Sequence, residues 1–186
     1  MKRSFDLILV FFFSIFLCLL LLLLSLLVRL TSQCPALYWS QRVGRNNDFF
    51  LMPKFRSMRI DAPAVATHLL VEPDQWLTPI GFFLRKSSLD ELPELWSILK
   101  GDMSFVGPRP ALYNQDDLIV LRTQAGVHTL RPGLTGWAQV NGRDELPIPD
   151  KVKIDRQYMK RQTFWFDIFI LWLTFVKVAT RDGVSH

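Results

Sequence analysis

The sequence predicts an α+β protein, mainly helical, in which an N-terminal membrane helix is joined to a small domain with a short β-hairpin and interfacial amphipathic helices. Three observations carry that expectation. Residues 4 to 28 form an apolar run whose only charge is Asp6, long enough to cross a ~30 Å hydrocarbon core as a helix. Two strand-like runs flank Gly44-Arg45-Asn46-Asn47, the composition of a hairpin turn. Near the C-terminus, F-W-F-D-I-F-I-L-W-L-T-F-V-K-V carries Asp167 and Lys177, which suits a helix lying at a membrane boundary better than one crossing it. The chain therefore divides into an anchor over residues 1–30 and one modest globular unit over residues 31–186.

Composition narrows the partners without choosing among them. The formal charge of +5, from 22 Lys and Arg against 17 Asp and Glu, suits an anionic membrane surface, a phosphate ligand or nucleic acid. Cys18 lies in the apolar run and Cys34 beside a proline, which argues against a disulfide framework. His68, His128 and His186 have no zinc-ligand spacing.

The apolar run exceeds the ~7 to 15 residues of a cleavable signal and is followed by no small-residue cleavage site. Both of its flanks are basic: Lys2 and Arg3 precede it, and Arg29, Arg42, Arg45, Lys54, Arg56 and Arg59 follow. The positive-inside rule puts the richer C-terminal flank in the cytoplasm, so a simple span strands Lys2 and Arg3 outside. A helix that bends and returns keeps both flanks on one side. No proline or glycine interrupts the run, so a bend would rest on Ser14, Cys18 or Ser25, and on these residues alone a span is favoured.

Ala36 to Gln41 and Asp48 to Met58 read as the hairpin strands. Alternation places Lys54 and Arg56 on one face and Phe55 on the other. Two such cations can grip a phosphate, and a solvated basic face is the plain alternative. Residues 61 to 79 read as a surface excursion with a short helix from Ala64 to Val71. Ile80 to Lys86 fits either a membrane boundary or ordinary core packing.

Arg85 to Pro110 is the densest stretch. Leu92, Leu95, Trp96, Ile98 and Leu99 fall on one helical face, with Gly101 as the stop. Ser88 and Glu91 match a capping box, so helix capping alone would account for the adjacent acids Asp90 and Glu91. Pro93 belongs in a first helical turn, which pins both acids to a helix start where backbone donors are free. In Gly107-Pro108-Arg109-Pro110 the two prolines restrict the backbone on both sides of Arg109 and present its side chain. Tyr113 to Gln124 reads as a polar-faced helix. Residues 131 to 143, with Thr135, Gln139, Asn141 and Arg143, read as a ligand-edging loop and strand, or as a hairpin turning at Asn141-Gly142. Pro149 to Arg161 is a charged helix carrying Asp155 and Tyr158.

K-F-R-S-M at 54 to 58, L-R-K-S-S-L-D-E-L-P at 84 to 93, K-G-D-M-S-F-V-G-P-R-P at 100 to 110 and P-G-L-T-G-W-A-Q-V-N-G-R at 132 to 143 together resemble the bacterial sugar transferases, the monotopic phosphoglycosyl transferases. Lys2-Arg3-x-x-Asp6 and Asp155-x-x-Tyr158 extend the resemblance over nearly the whole chain. It implies transfer of a sugar 1-phosphate from a UDP-sugar to polyprenyl (undecaprenyl) phosphate, with release of UMP, as the first membrane step of a surface or protein-linked glycan. It further implies Asp90 as covalent nucleophile and Glu91 as a second catalytic acid and Mg²⁺ ligand. Lys54, Arg56, Arg85, Arg109, Gln139, Arg143 and Asp155 are implied as substrate-site residues. The implied setting is the bacterial inner membrane, with the lipid bilayer as partner, the catalytic domain facing the cytoplasm, no nucleic acid and a homodimer as a further expectation.

Family members bend the membrane helix at Ser-Pro into a re-entrant hairpin, so the resemblance implies re-entry although Cys18-Leu19 stands at that place. Larger relatives carry more membrane helices, and their lack here implies the short class that takes N-acetylated amino sugars. A carboxylate at a helix N-terminus is expected to stay ionised and attack the β-phosphorus. The rival reading from composition is a membrane-tethered basic binding or scaffold module without catalysis.

Overall fold

The computed structural model describes residues 2–32, 34–63, 72–142 and 146–180. Its longest element is α1 (Lys2–Thr31), an apolar helix rich in Leu and Phe in which no proline removes a backbone donor. The helix is bent by 63° between Lys2–Ile15 and Leu17–Thr31, so the bend falls between Ser14 and Cys18, two of the three residues flagged from sequence. No single straight helix among the described residues is long and apolar enough to cross a membrane, whereas the bent pair together has that length and composition.

Both ends of α1 are held by the globular part. At the start, Lys2 Nζ pairs with Asp167 and donates to Tyr158 Oη at 3.1 Å, and Arg3 donates to the Leu99 carbonyl at 2.6 Å. Asp6 is buried and accepts from Ser104 Oγ and from the Phe105 amide, each at 3.2 Å. At the far end, Leu24 and Val28 pack with Phe55 and Leu84. Both ends of α1 are thus tied to the globular part across a bend that no proline imposes.

The hairpin forms as read, with shifted bounds: β1 (Leu37–Val43) pairs antiparallel with β2 (Phe49–Phe55), and a short 3-10 turn at Arg45–Asn47 joins them. Asn46 and Asn47 take the left-handed conformation that this turn needs, which asparagine tolerates well. A second, parallel pair joins β3 (Ser104–Val106) to β4 (Gly133–Thr135). Around these lie α2 (Gly81–Lys86), α3 (Leu95–Lys100), α4 (Asp116–Gln124), α5 (Trp137–Val140), α6 (Ile148–Arg161) and α7 (Phe164–Thr180). The main core unites Val10 of α1 with Met52, Ile98, Met103, Val106, Tyr158, Phe166 and Ile170. Each such fully buried apolar side chain contributes about 1.5–3 kcal/mol relative to exposure.

Four expectations are corrected. Leu95 and Ile98 are buried, but Trp96 and Leu99 of the supposed common face are about half exposed, because α3 has only six residues and buries a narrower stripe. The Ser88–Glu91 capping box is not made: Ser88 is left-handed, at φ 56°, its side chain caps nothing, and a 3-10 helix (Leu89–Glu94) that includes Pro93 precedes α3. The ligand-edging stretch is strand only over Gly133–Thr135; Gln139 lies in α5. Asn141-Gly142 consequently follows one helix and leads towards another, with no strand pair to turn. The expected helix from Ala64 to Val71, and Arg143, lie outside the described residues.

β3 and β4 approach through glycine. A Cβ on Gly133 would stand 2.1 Å from the Gly107 nitrogen, and one on Gly136 would stand 2.0 Å from the Gly107 carbonyl oxygen. Backbone cannot yield as a side-chain tip can. Gly136→Ala is therefore expected to cost about 3 kcal/mol or more. Thermal unfolding in detergent should show a large drop in melting temperature, and an unchanged melt would mean this approach is looser than described.

Candidate active site

Three segments distant in sequence converge on one carboxylate. Period-two alternation along β2 sends Met52 into the core and places Lys54 on the same face two residues later. The 3-10 helix supplies Asp90, Glu91 and Glu94, and the turn after β3 supplies Arg109. Glu91 Oε1 accepts from Lys54 Nζ at 2.9 Å and from Arg109 Nη2 at 3.0 Å. Lys54 is shared, with Glu94 Oε1 at 3.0 Å on its other side.

This arrangement separates the two adjacent acids electrostatically. Burial and the neighbouring Glu91 charge push the Asp90 carboxyl up to about 6, against the pull of Lys54, Arg85 and Arg109. Burial acts on Glu91 in the same direction, but Lys54 and Arg109 outweigh it and hold this carboxyl well below the usual range. Burial pushes Glu94 up. Lys54 resists its own burial because Glu91 and Glu94 favour the ammonium form. Desolvation thus opposes the expected ionisation of Asp90 without removing it: a carboxyl raised to about 6 is still mostly a carboxylate at neutral pH.

The turn that carries Arg109 is clamped at successive carbonyls. Gly133 N–H donates to Pro108 O at 2.9 Å, Arg122 Nη1 to Arg109 O at 2.7 Å, Arg42 Nη1 to Pro110 O at 3.2 Å and Val43 N–H to Ala111 O at 3.0 Å. Arg122, buried on α4, also gives Nε and Nη2 to Asp155 Oδ2 of α6 at 3.0 and 2.7 Å.

The residues singled out from sequence therefore separate into groups. Lys54, Glu91 and Arg109 are in direct contact, with Asp90 adjacent and Arg85 acting on Asp90 through its charge. Arg56 turns elsewhere, donating to the Pro35 carbonyl at 3.2 Å and lying over the Tyr38 ring, since β2 ends at Phe55 and alternation no longer governs it. Gln139 donates to the Leu134 carbonyl at 3.0 Å, and Asp155 pairs with Arg122. Arg122 and Glu94 were missed. Both carried a signal: Arg122 lies four residues after buried Leu118, and Glu94 four residues before buried Ile98, so each charge falls on a core-facing stripe.

The family model described as bacterial sugar transferase matches residues 1–181. The chain belongs to that family. It is 40% identical over 163 residues to the galactosyl transferase CpsE of Streptococcus agalactiae, covering 81% of this chain and 36% of that protein. It is also 40% identical over 165 residues to the undecaprenyl-phosphate galactose phosphotransferase of Salmonella typhimurium, covering 80% and 34%. The uncharacterized sugar transferase EpsL of Bacillus subtilis is 37% identical over 187 residues, covering 100% of this chain and 91% of EpsL. This sugar transferase chain thus spans about a third of the first two relatives and nearly all of the third.

In this chain the Arg122–Asp155 pair is buried on both sides, so removing one partner leaves an uncompensated charge. Arg122→Met is expected to cost about 3–5 kcal/mol, and adding Asp155→Leu should recover part of that. Denaturant unfolding of the two variants checks it; no loss in the single variant would show that the pair does not hold α4 to α6.

Proposed function

We propose that the protein transfers a sugar 1-phosphate from a UDP-sugar to undecaprenyl or another polyprenyl phosphate, with release of UMP, through a covalent aspartyl intermediate at Asp90. The supporting observation is the contact of Lys54 and Arg109 with Glu91 beside Asp90, in a chain that the sugar transferase family model covers almost end to end. The Salmonella relative is named for the same pairing of a sugar with undecaprenyl phosphate.

In the first step an Asp90 carboxylate oxygen forms a bond to the β-phosphorus while the bond from that phosphorus to the bridging oxygen breaks, and the electron pair leaves with UMP. Lys54, Arg85 and Arg109 receive charge on the non-bridging oxygens. In the second step a phosphate oxygen of the lipid attacks the same phosphorus and returns the carboxylate to Asp90. Glu91 would be the magnesium ligand: it is held ionised, and both of its described hydrogen bonds fall on Oε1. Mg²⁺ commonly takes one or two carboxylates and completes its shell with phosphate oxygens and water, and when bound it neutralises pyrophosphate charge.

A lipid acceptor requires a site at headgroup depth, and the fold supports one. Ile8, Phe11, Ile15, Leu19, Leu22 and Leu30 of α1 are exposed apolar side chains, as are Trp165, Trp172 and Phe175 of α7. Exposed apolar side chains grouped in this way fit a membrane contact. With Lys2 and Val28 both docked on the globular part, α1 enters and leaves the bilayer on one side, and the basic flanks put that side in the cytoplasm. For the donor, the amino-sugar reading from the resemblance competes with galactose.

Labelled UMP should enter the UDP-sugar without any polyprenyl phosphate, in a panel that includes UDP-galactose and N-acetylated amino sugars. Asp90→Asn should abolish exchange. Because the ionised carboxylate is the nucleophile, the exchange rate should rise as pH increases through about 6 and level off above it. Turnover without exchange would mean direct attack by the lipid phosphate. For topology, Ser4→Cys and Leu30→Cys, in a chain whose native cysteines are replaced by serine, should both label from the cytoplasmic face of vesicles; labelling from opposite faces would establish a span.

A further inference from the structure

Arg109 sits between two prolines, so the φ angles of its neighbours are fixed and its own backbone is restricted by the following ring. What remains free is chiefly the orientation of the Arg109 peptide plane, and among the groups that clamp this turn one bonds the Arg109 carbonyl itself. Arg122 Nη1 donates to the Arg109 carbonyl oxygen at 2.7 Å. The Arg122 guanidinium cannot rotate away, because Nε and Nη2 are both taken by Asp155 Oδ2. Arg122 thus spends one edge on a buried carboxylate of α6 and one nitrogen on the turn that presents Arg109 to Glu91.

We propose that Arg122, held by Asp155, is a positioning residue that fixes the Arg109 carbonyl and thereby aims the Arg109 guanidinium at Glu91 and at the transferred phosphate. The half of this claim that concerns phosphate rests on the function proposed above. Asp155 consequently acts through two arginines, without itself touching donor or acceptor. A displacement of Arg109 by about 1 Å is enough to cost on the order of a hundredfold in rate where geometry limits the reaction.

The test uses the full chain in lipid nanodiscs and Arg122→Lys, which keeps a charge opposite Asp155 but has no planar fork to serve Asp155 and the carbonyl together. UMP release from the UDP-sugar should fall about tenfold or more in kcat/KM. In an Arg109→Ala background the same change should cost less than about twofold, because the group being aimed is gone. An equal loss in both backgrounds would overturn the proposal and leave Arg122 as general support for the fold. Should Arg122→Lys not fold, Asp155→Asn enters the same cycle with the same expectations. Amide hydrogen exchange over residues 105–115 gives an arm independent of turnover: faster exchange there in the variant supports the clamp, and unchanged exchange overturns it. Absence of UMP release from the unmodified protein would remove the proposed function, and the exchange arm would still decide the positioning claim.

Discussion

The Glu91 carboxylate is the point on which the catalytic half of the molecule depends. One oxygen receives Lys54 from the hairpin and Arg109 from the turn after β3, so three segments that are separate in the chain are tied at one atom. The contact also sets the chemistry of its neighbour. Two cations lie close enough to keep Glu91 charged, and that charge, together with burial, lifts Asp90 towards neutrality. One acid is made a firm anion and the other a weaker one by position alone.

Around that point the backbone is closely held. The turn that carries Arg109 has its carbonyls taken one after another, by Gly133, Arg122, Arg42 and Val43. Glycines at 107, 133 and 136 let β3 and β4 come close enough for two of the backbone bonds beside it. Arg122 and Asp155 carry the restraint outward to α4 and α6, and Tyr158, one turn beyond Asp155, carries it on to Asp167 and Lys2. The membrane helix and the acids are therefore parts of one connected network.

Much of this was legible in the chain because it is local. Proline placement announced the restricted Arg109 turn and the hairpin followed from its turn composition, whereas Pro93 lies late in the 3-10 helix and not in the first turn of α3. What was not legible depends on partners far away in sequence. Nothing near Ser88 reveals that Glu91 will prefer Lys54 and Arg109 to a capping bond, since that choice is settled by tertiary charges. The spacing of Arg122 from Leu118 marks a core-facing position, but its partner Asp155 lies 33 residues away on another helix. Arg56 departs from the Lys54 face for the converse reason, because β2 stops one residue earlier.

The anchoring of Lys2 by Asp167 and Tyr158 has a consequence for how the fold closes. These partners lie 165 and 156 positions downstream, so the contact joins the two ends of the described chain in one loop. Arg3 at the Leu99 carbonyl and Asp6 at Ser104 tie the same end of α1 to the middle of the chain. The amino end of the apolar helix is thus held by contacts of large sequence separation, the kind whose loop-closure entropy slows folding.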